Sequence, residues 1–333
     1  MTQPYHTILT RLESGQGSLL VSHYGPEGIE RTLATESTDD NITESGLRFT
    51  EDGKTLTLVE QFLPRPRLII LGGGHIALPL FAIGDMMGFE VWVYDDRPGF
   101  ANPARFPAAH RVICDDFTHM RERLALRRRD YVTVLTRGHQ HDIFCLRALL
   151  DGEGEVPHYV GMIGSKRRIA IVKAEVAEAT GRANLLDGLY APIGLPIGSV
   201  TPEEIALSIM AEVIGVKRLG RDGTRRKVPQ EGGVDPQLFR WLAAQKEESA
   251  ALVTIVATRG STPRETGAKM AVTATGKTIG SIGGGCAEAE VIIRARNVMD
   301  TGGYHLMEID LADSAEEDGM VCGGVMTVLI EAV

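Results

Sequence analysis

Residues 67–96 read RLIILGGGHIALPLFAIGDMMGFEVWVYDD. RLIIL (67–71) is a continuous apolar run after its first residue, the pattern of a strand covered on both faces. Gly72-Gly73-Gly74-His75-Ile76-Ala77 follows, a G-x-G-x-x-A that turns tightly from a strand into a helix. Gly72 allows the turn, Gly74 lets backbone approach a phosphate, and Ala77 permits close helix–strand packing. The helix N-terminus then offers free N–H groups and the positive end of a dipole. Pro79 fits only in the first helical turn, where its missing N–H would be unpaired anyway. EVWVYDD (90–96) is the next strand, and Asp95, 23 residues after Gly72, stands where an acid bonds a ribose hydroxyl. Strand, turn, helix, strand and acid in that order point to nucleotide-type binding. A glycine turn of purely structural use is the competing reading.

RVICDD (111–116), YVTVLT (131–136) and HYVGMIG (158–164) are further strands, with helical stretches between or after most of them. Such alternation predicts an α/β fold with a Rossmann-like, doubly wound parallel sheet. A helix is predicted from Pro202, with Thr201 as N-cap and Glu204 closing a capping box. Residues 66–216 thus form one domain. Before it, residues 1–65 are polar, with strand-like runs at 18–24, 47–50 and 54–62, and a Ser/Thr/Asp/Asn-rich loop at 35–46. They hold too little apolar material for a core of their own. After it, the basic, Gly-rich stretch 217–236 reads as an exposed linker, and 237–333 as a second, smaller domain, α/β or α+β. TLTLVEQF (55–62) matches MTVLIEAV (326–333) in pattern, so the N-terminal segment reads as the back half of a domain of the C-terminal kind.

Composition narrows the function. A chain of 333 residues, 43% hydrophobic and 24% charged, is an ordinary globular protein of about two domains. Its formal charge of -9 disfavours nonspecific binding to nucleic acid or anionic membranes. No apolar run approaches the roughly 18 residues of a membrane span, and the N-terminus lacks a secretion signal. Four cysteines (Cys114, Cys145, Cys286, Cys322) are too sparse for a disulfide framework, which makes a reducing cytoplasm the expected location.

Five further motifs carry candidate chemistry. Thr136-Arg137-Gly138-His139-Gln140-His141-Asp142 follows a strand end, where open α/β sheets bind ligands. His139 contacts a ligand there, or the segment caps a helix; two imidazoles make an incomplete metal site. Gly164-Ser165-Lys166-Arg167-Arg168 sets three basic residues at a helix start, against the dipole, which suggests an anion or a solvated turn. The C-terminal domain holds RGSTPRETGAKM (259–270), with Arg264 and Lys269, and GSIGGGCAE (280–288), where Gly283, Gly284 and Gly285 make an anion nest before a helix. Cys286 would sit at that helix N-terminus, where a thiol pKa falls. Cys322-Gly323-Gly324 precedes the last strand. Cys286 and Cys322 read as reactive thiolates for sulfur or a soft metal; buried small hydrophobes are the alternative, assumed for Cys114 and Cys145. No Walker or serine-hydrolase motif occurs.

These stretches together resemble the xanthine dehydrogenase accessory family of the XdhC/CoxI type. The resemblance lies in LIILGGGHIALPLFAIGDMMGFEVWVYDDRPGFANPARFP, in LTRGHQHD and GMIGSKRR with APIGLPIGSVTPEEIALSIMAEVIG, and in TRGSTPRETGAKMAV with GSIGGGCAEAEV and VCGGVMTVLIE. It implies a maturation protein, more a cofactor-insertion chaperone than a stand-alone enzyme. Such a protein binds molybdenum cofactor (molybdopterin), aids its sulfuration and passes it to a molybdenum hydroxylase such as xanthine dehydrogenase. A cysteine desulfurase and a second copy of the chain are the further implied partners. Cys286 and Cys322 take the sulfur-carrying role and the molybdenum contact. Arg264 and Lys269 face the pterin tail, and Lys166, Arg167 and Arg168 the phosphate. The remaining implied cofactor-binding residues are Gly72, Gly74, His75, Asp95, Asp96, His139, Gly164, Ser165, Gly283, Gly284, Gly285 and Glu288. NAD(P) or another nucleotide would occupy the 72–95 turn. The domain order departs from the usual one, since here the Gly-Gly-Gly-Cys domain follows the Rossmann-like domain and residues 1–65 look like a remnant of a leading copy. The rival reading is an NAD(P)-dependent oxidoreductase working at the 72–95 site without Cys286.

Overall fold

The computed structural model describes residues 3–35, 47–52, 55–150, 156–181, 183–219, 235–244, 249–283, 286–311 and 324–333. The expected loop at 36–46, most of the expected linker (220–234), Gly284, Gly285 and Cys322 lie outside the described residues. The chain forms two compact units, one made of residues 1–64 with 227–333, the other of residues 65–226.

In chain order the first elements are α1 (Gln3–Glu13), β1 (Ser18–Gly25), β2 (Gly28–Thr35), β3 (Leu47–Asp52) and β4 (Thr55–Phe62). They build an antiparallel sheet in the order β2-β1-β4-β3. Helix α1 and strand β2 lie in a segment read above as three strands and a loop. Tyr5, Ile8, Leu9 and Leu12 recur at helical spacing, and Tyr5 and Ile8 are fully buried, so packing of that stripe stabilises α1.

The 65–226 unit follows: β5 (Arg67–Leu71), α2 (Ala77–Met86), β6 (Glu90–Asp95), β7 (Arg111–Cys114), α3 (Met120–Leu124), β8 (Tyr131–Val134), α4 (His139–Leu150), β9 (Tyr159–Met162), α5 (Lys166–Thr180) and α6 (Pro202–Leu219). All five strands are parallel, in the order β7-β6-β5-β8-β9. This is the doubly wound order of one mononucleotide-binding half with its extension. The unbroken apolar run of β5 has a direct cause. Ile69 and Leu71 pack with α3, α4 and α5 on one face, while Leu68 and Ile70 pack with α2 and α6 on the other. Pro79 is the third residue of α2, within its first turn. The capping box at α6 forms: Glu204 Oε2 accepts from Thr201 N at 3.0 Å and Val200 N at 2.7 Å, and Thr201 Oγ1 accepts from Glu204 N at 3.3 Å. On α6, Ile209, Met210 and Val213 are buried, each worth about 1.5–3 kcal/mol. Cys145 is buried in the core, whereas Cys114, expected to be buried, is exposed at the end of edge strand β7.

The last elements are α7 (Pro236–Ala244), β10 (Ala250–Arg259), β11 (Lys269–Thr273), β12 (Thr278–Gly280), α8 (Cys286–Thr301), β13 (Tyr304–Asp310) and β14 (Val325–Ala332). Their antiparallel sheet runs β12-β11-β10-β14-β13. Helix α8 covers one face through Ala251, Val253 and Ile255 of β10. On the other face Leu252 of β10 shares a core with Leu20, Phe62, Tyr5 and Phe239. The N-terminal sheet therefore completes the C-terminal one.

Among the described residues, no helix is long and apolar enough to cross a membrane.

Candidate functional site

Parallel strands place every loop that follows a strand on one edge, so three sequence motifs, 72–96, 136–142 and 164–168, share the carboxyl edge of the β5–β9 sheet. At its centre, between β5 and β8, lies a cavity of about 320 Å³ lined by Gly72, Gly74, His75, Ile76, Ala77, Leu135, Val200, Pro202 and Ile205. This is the topological switch point of the sheet. Two helix N-termini border it. That of α6 is closed by its capping box, while that of α2 has no side-chain cap. The contribution of Val200, Pro202 and Ile205 escapes a sequence reading, because those residues are more than a hundred positions from Gly72. The glycines divide by task. Gly72 has φ +113° and a Cβ there would run into the Leu135 carbonyl; a Cβ on Gly73 would sit 2.6 Å from Phe100 O. Gly74 has open space around it, as a backbone approached by a ligand requires.

The acids beside the turn are engaged by their own chain. Asp95, 1% exposed, accepts from Gly73 N at 2.8 Å, Arg97 N at 3.0 Å and Arg97 Nε and Nη2, each at 2.8 Å. Burial raises its pKa, but the hydrogen bonds from Arg97 and Gly73 outweigh burial and hold it below the usual carboxylate value. Asp95 thus fixes the glycine turn, and its oxygens are not turned to a ribose. Asp96 pairs bidentately with Arg137 at 3.0 and 2.8 Å, bridging the ends of β6 and β8. Thr136 Oγ1 donates to Asp142 at 2.6 Å, and Arg168 Nε donates to the same carboxyl at 2.7 Å and Nη2 to Thr136 O at 3.0 Å. Burial raises the Asp142 pKa, and these bonds only partly offset it. Arg168 is therefore a brace between α5 and α4, not a free cation for a phosphate. His139 starts α4, and His141 stacks at a tilt on Phe117. Gly164 precedes the N-cap Ser165, whose hydroxyl accepts from Arg168 N; Lys166 and Arg167 are exposed in the first turn of α5.

The second motif cluster lies in the other unit. Gly283 has φ +138°, and a Cβ there would strike Pro263. A Cβ on Gly324 would strike Ser261 O and lie 2.9 Å from Thr262 Cγ2. Gly283 and Gly324 therefore both lie against the Ser261–Pro263 turn. Three motifs separated in sequence meet at one place. Glu288 in the first turn of α8 ties this loop: Oε1 accepts from Ser281 Oγ at 2.8 Å and Ile282 N at 3.1 Å, while Ser281 Oγ accepts from Gly283 N at 3.0 Å. Cys286 is the first residue of α8, as its position before the helical stretch predicts. Arg259 and Arg264 flank the turn, exposed, with no hydrogen-bond or ion-pair partner among the described residues. Lys269, expected at a pterin tail, is elsewhere. Its side chain is 2% exposed, its Nζ lies 2.6 Å from Glu60 Oε1 and donates to Thr254 Oγ1 at 2.7 Å. A buried, paired ammonium is not presented to a ligand.

A parallel sheet in this order, with a glycine turn and a cavity at its switch point, defines a Rossmann-type unit; the other is a two-sheet unit in which Gly283 and Gly324 lie against the Ser261–Pro263 turn. Residues 68–213 match the XdhC Rossmann domain and residues 243–310 match the XdhC and CoxI family. The chain belongs to the XdhC and CoxI family. It is 31% identical to a probable xanthine dehydrogenase component of Bacillus subtilis (strain 168) over 173 residues, 50% of this chain and 48% of that protein. It is 29% identical to "Uncharacterized protein YqeB" of Escherichia coli (strain K12) over 171 residues, 51% of this chain and 30% of that one. The chain thus spans about half or less of the length of these relatives. The crystal structure of a xanthine dehydrogenase from Bacillus halodurans aligns with 63% of this chain and 62% of its own, at 29% identity and a TM-score of 0.46.

Proposed function

We propose that this chain is an accessory protein that binds molybdenum cofactor as cargo, aids its sulfuration and hands it to a xanthine dehydrogenase-type molybdenum hydroxylase. One observation carries the reading: Gly283 and Gly324 lie against the Ser261–Pro263 turn, between two exposed arginines and beside the helix that Cys286 begins. The donor set suits the cargo. Arg264 and Arg259 offer charge-assisted hydrogen bonds to a phosphate or to pterin oxygens. Cys286, the first residue of α8, is a residue of the type that carries sulfur or touches a soft metal. When bound, the cofactor supplies the molybdenum centre that accepts sulfur. Glu288 holds the loop in shape through Ser281 and Ile282. Cys322, two positions before Gly324, is assigned the partner thiol, with a cysteine desulfurase as the sulfur source. Family membership and the names of the relatives support the hydroxylase as recipient.

The cavity at Gly72 supports a second, subsidiary ligand. Its uncapped α2 N-terminus and open Gly74 suit the phosphate of NAD(P) or of a nucleotide-extended cofactor. It is also what favours the alternative, an NAD(P)-dependent oxidoreductase. The test is transfer. Chain loaded in cells that make the cofactor is mixed with a cofactor-free hydroxylase, and activity is followed. Activation by the wild type and loss of activation with Cys286→Ser or Cys322→Ser is expected. Full activation by the double variant would remove the thiol role. Nicotinamide turnover indifferent to both cysteines would favour the oxidoreductase.

A further inference from the structure

The two sheets of the 1–64/227–333 unit share one plan. Each half is a helix followed by strands in matching order: β2-β1-β4-β3 in the N-terminal half and β11-β10-β14-β13 in the C-terminal half, where β12 extends the sheet beyond β11. The register matches as well. In the first hairpin Ser22 faces Arg31, and Thr254 faces Lys269. In the second pairing Leu20 faces Glu60, and Leu252 faces Glu331. Arg31 therefore stands where Lys269 stands, and Glu60 where Glu331 stands, in agreement with the sequence match between TLTLVEQF and MTVLIEAV.

The charges then cross. Lys269 pairs with Glu60 of the other half at 2.6 Å, and Arg31 pairs with Glu331 of the other half at 2.5 Å, all four side chains being nearly buried. The apolar contacts between the sheets repeat the correspondence. Tyr24 and Leu58 cluster with their counterparts Val256 and Leu329, and Leu20 with its counterpart Leu252. Reciprocal contacts of this form, residue i with j and j with i, are the property of a two-fold interface. The copies differ in detail. Ser22 Oγ, at the place of Thr254, is buried without a partner, while Tyr24 OH donates to Glu331 at 2.9 Å. Among the described residues the N-terminal half has no counterpart of α8, and residues 1–64 contain no cysteine.

We infer that this unit is a fused pair of one fold about an internal two-fold, and that the face of the C-terminal half covered by residues 1–64 is built to fit a second copy of itself. Each half carries both a cation and a carboxylate at mirrored places, so each is self-complementary. Residues 1–64 are the resident second copy. The pair thereby carries one set of the Cys- and Gly-bearing loops rather than two. The surface that would otherwise join two chains is filled within one.

Charge inversion in the full chain tests this. Lys269→Glu with Glu331→Lys leaves the C-terminal half complementary to another copy of itself. Against residues 1–64 it sets a carboxylate facing Glu60 and an ammonium facing Arg31. Light scattering should then give twice the mass of the wild-type chain, with the doubled species gaining as concentration rises. Adding Arg31→Glu and Glu60→Lys restores both crossed pairs and should return the wild-type mass. The inference is overturned if the double variant keeps the wild-type mass, or if it is insoluble while the fourfold variant folds. A fourfold variant that fails to fold overturns the equivalence of the two pairs and with it the two-fold.

Discussion

Glu60→Gln is the most informative single perturbation of the fold. Glu60 and Lys269 have side chains 5% and 2% exposed, so the pair is not screened by water. Removing one partner of a buried ion pair costs about 3–5 kcal/mol, chiefly because the other charge stays buried and uncompensated. Here the lower end applies, because Thr254 Oγ1 still accepts from the ammonium at 2.7 Å and the glutamine carbonyl accepts as well. A loss of about 3 kcal/mol in a unit of this size lowers its melting midpoint by roughly 6–12 °C. The two tryptophans separate the transitions, since Trp241 lies on α7 and Trp92 on β6. Thermal unfolding followed by fluorescence should therefore shift for Trp241 and stay fixed for Trp92. Removing both charges, as Glu60→Gln with Lys269→Met, should recover a large part of the loss, because an apolar replacement of a whole buried pair is often neutral. A single variant that melts with the wild type, or a double variant that loses the sum of both singles, would refute the assignment of Lys269 to this pair.

Other consequences are equally open to measurement. Gly72→Ala places a Cβ against the Leu135 carbonyl at φ +113° and should cost the Rossmann-type unit roughly 2–4 kcal/mol, read as an early Trp92 transition; an unchanged midpoint would contradict the geometry. Arg264→Ala should lower bound pterin several-fold without moving the Trp241 transition, since the side chain is exposed and has no partner among the described residues. Asp95 gives a pH dependence of known sign. Its folded pKa lies below the unfolded value of about 3.9, so its contribution is complete above that value and is lost as pH falls through the depressed one. Stability of the Rossmann-type unit should fall on acidification below about pH 4, and Asp95→Asn should flatten that fall. An identical acid slope in the variant would show that Asp95 does not carry it.

The parallel sheet was legible because its signal is local: apolar runs such as RLIIL, each followed by a turn and a helix start, and the Thr201–Glu204 capping box. What escaped sequence reading is which side chains meet, whether near in the chain or far apart. Asp95 stands where a ribose-binding acid stands, yet Arg97 and Gly73 N take its oxygens. Arg168 has the position of a phosphate cation, yet Asp142 and Thr136 hold it. Lys269 belongs to a motif that reads as ligand-binding, and only the distant Glu60 shows that it is structural. Strand β2 is an exposed edge, with Ile29, Arg31 and Leu33 alternating inward, and its one strong inward feature is a charge whose partner, Glu331, is 300 positions away. The meeting of Gly283 and Gly324 on the Ser261–Pro263 turn is likewise invisible in sequence, although each glycine falls within a motif that sequence singles out.

Whether this chain carries molybdenum cofactor is read from its pterin content. Protein purified anaerobically from cells that make the cofactor is denatured and oxidised, and the fluorescent pterin and the molybdenum are quantified per chain. Close to one pterin per chain is expected, reduced several-fold by Arg264→Ala. A wild-type chain free of pterin, with its fold protected instead by a nicotinamide nucleotide, would contradict it.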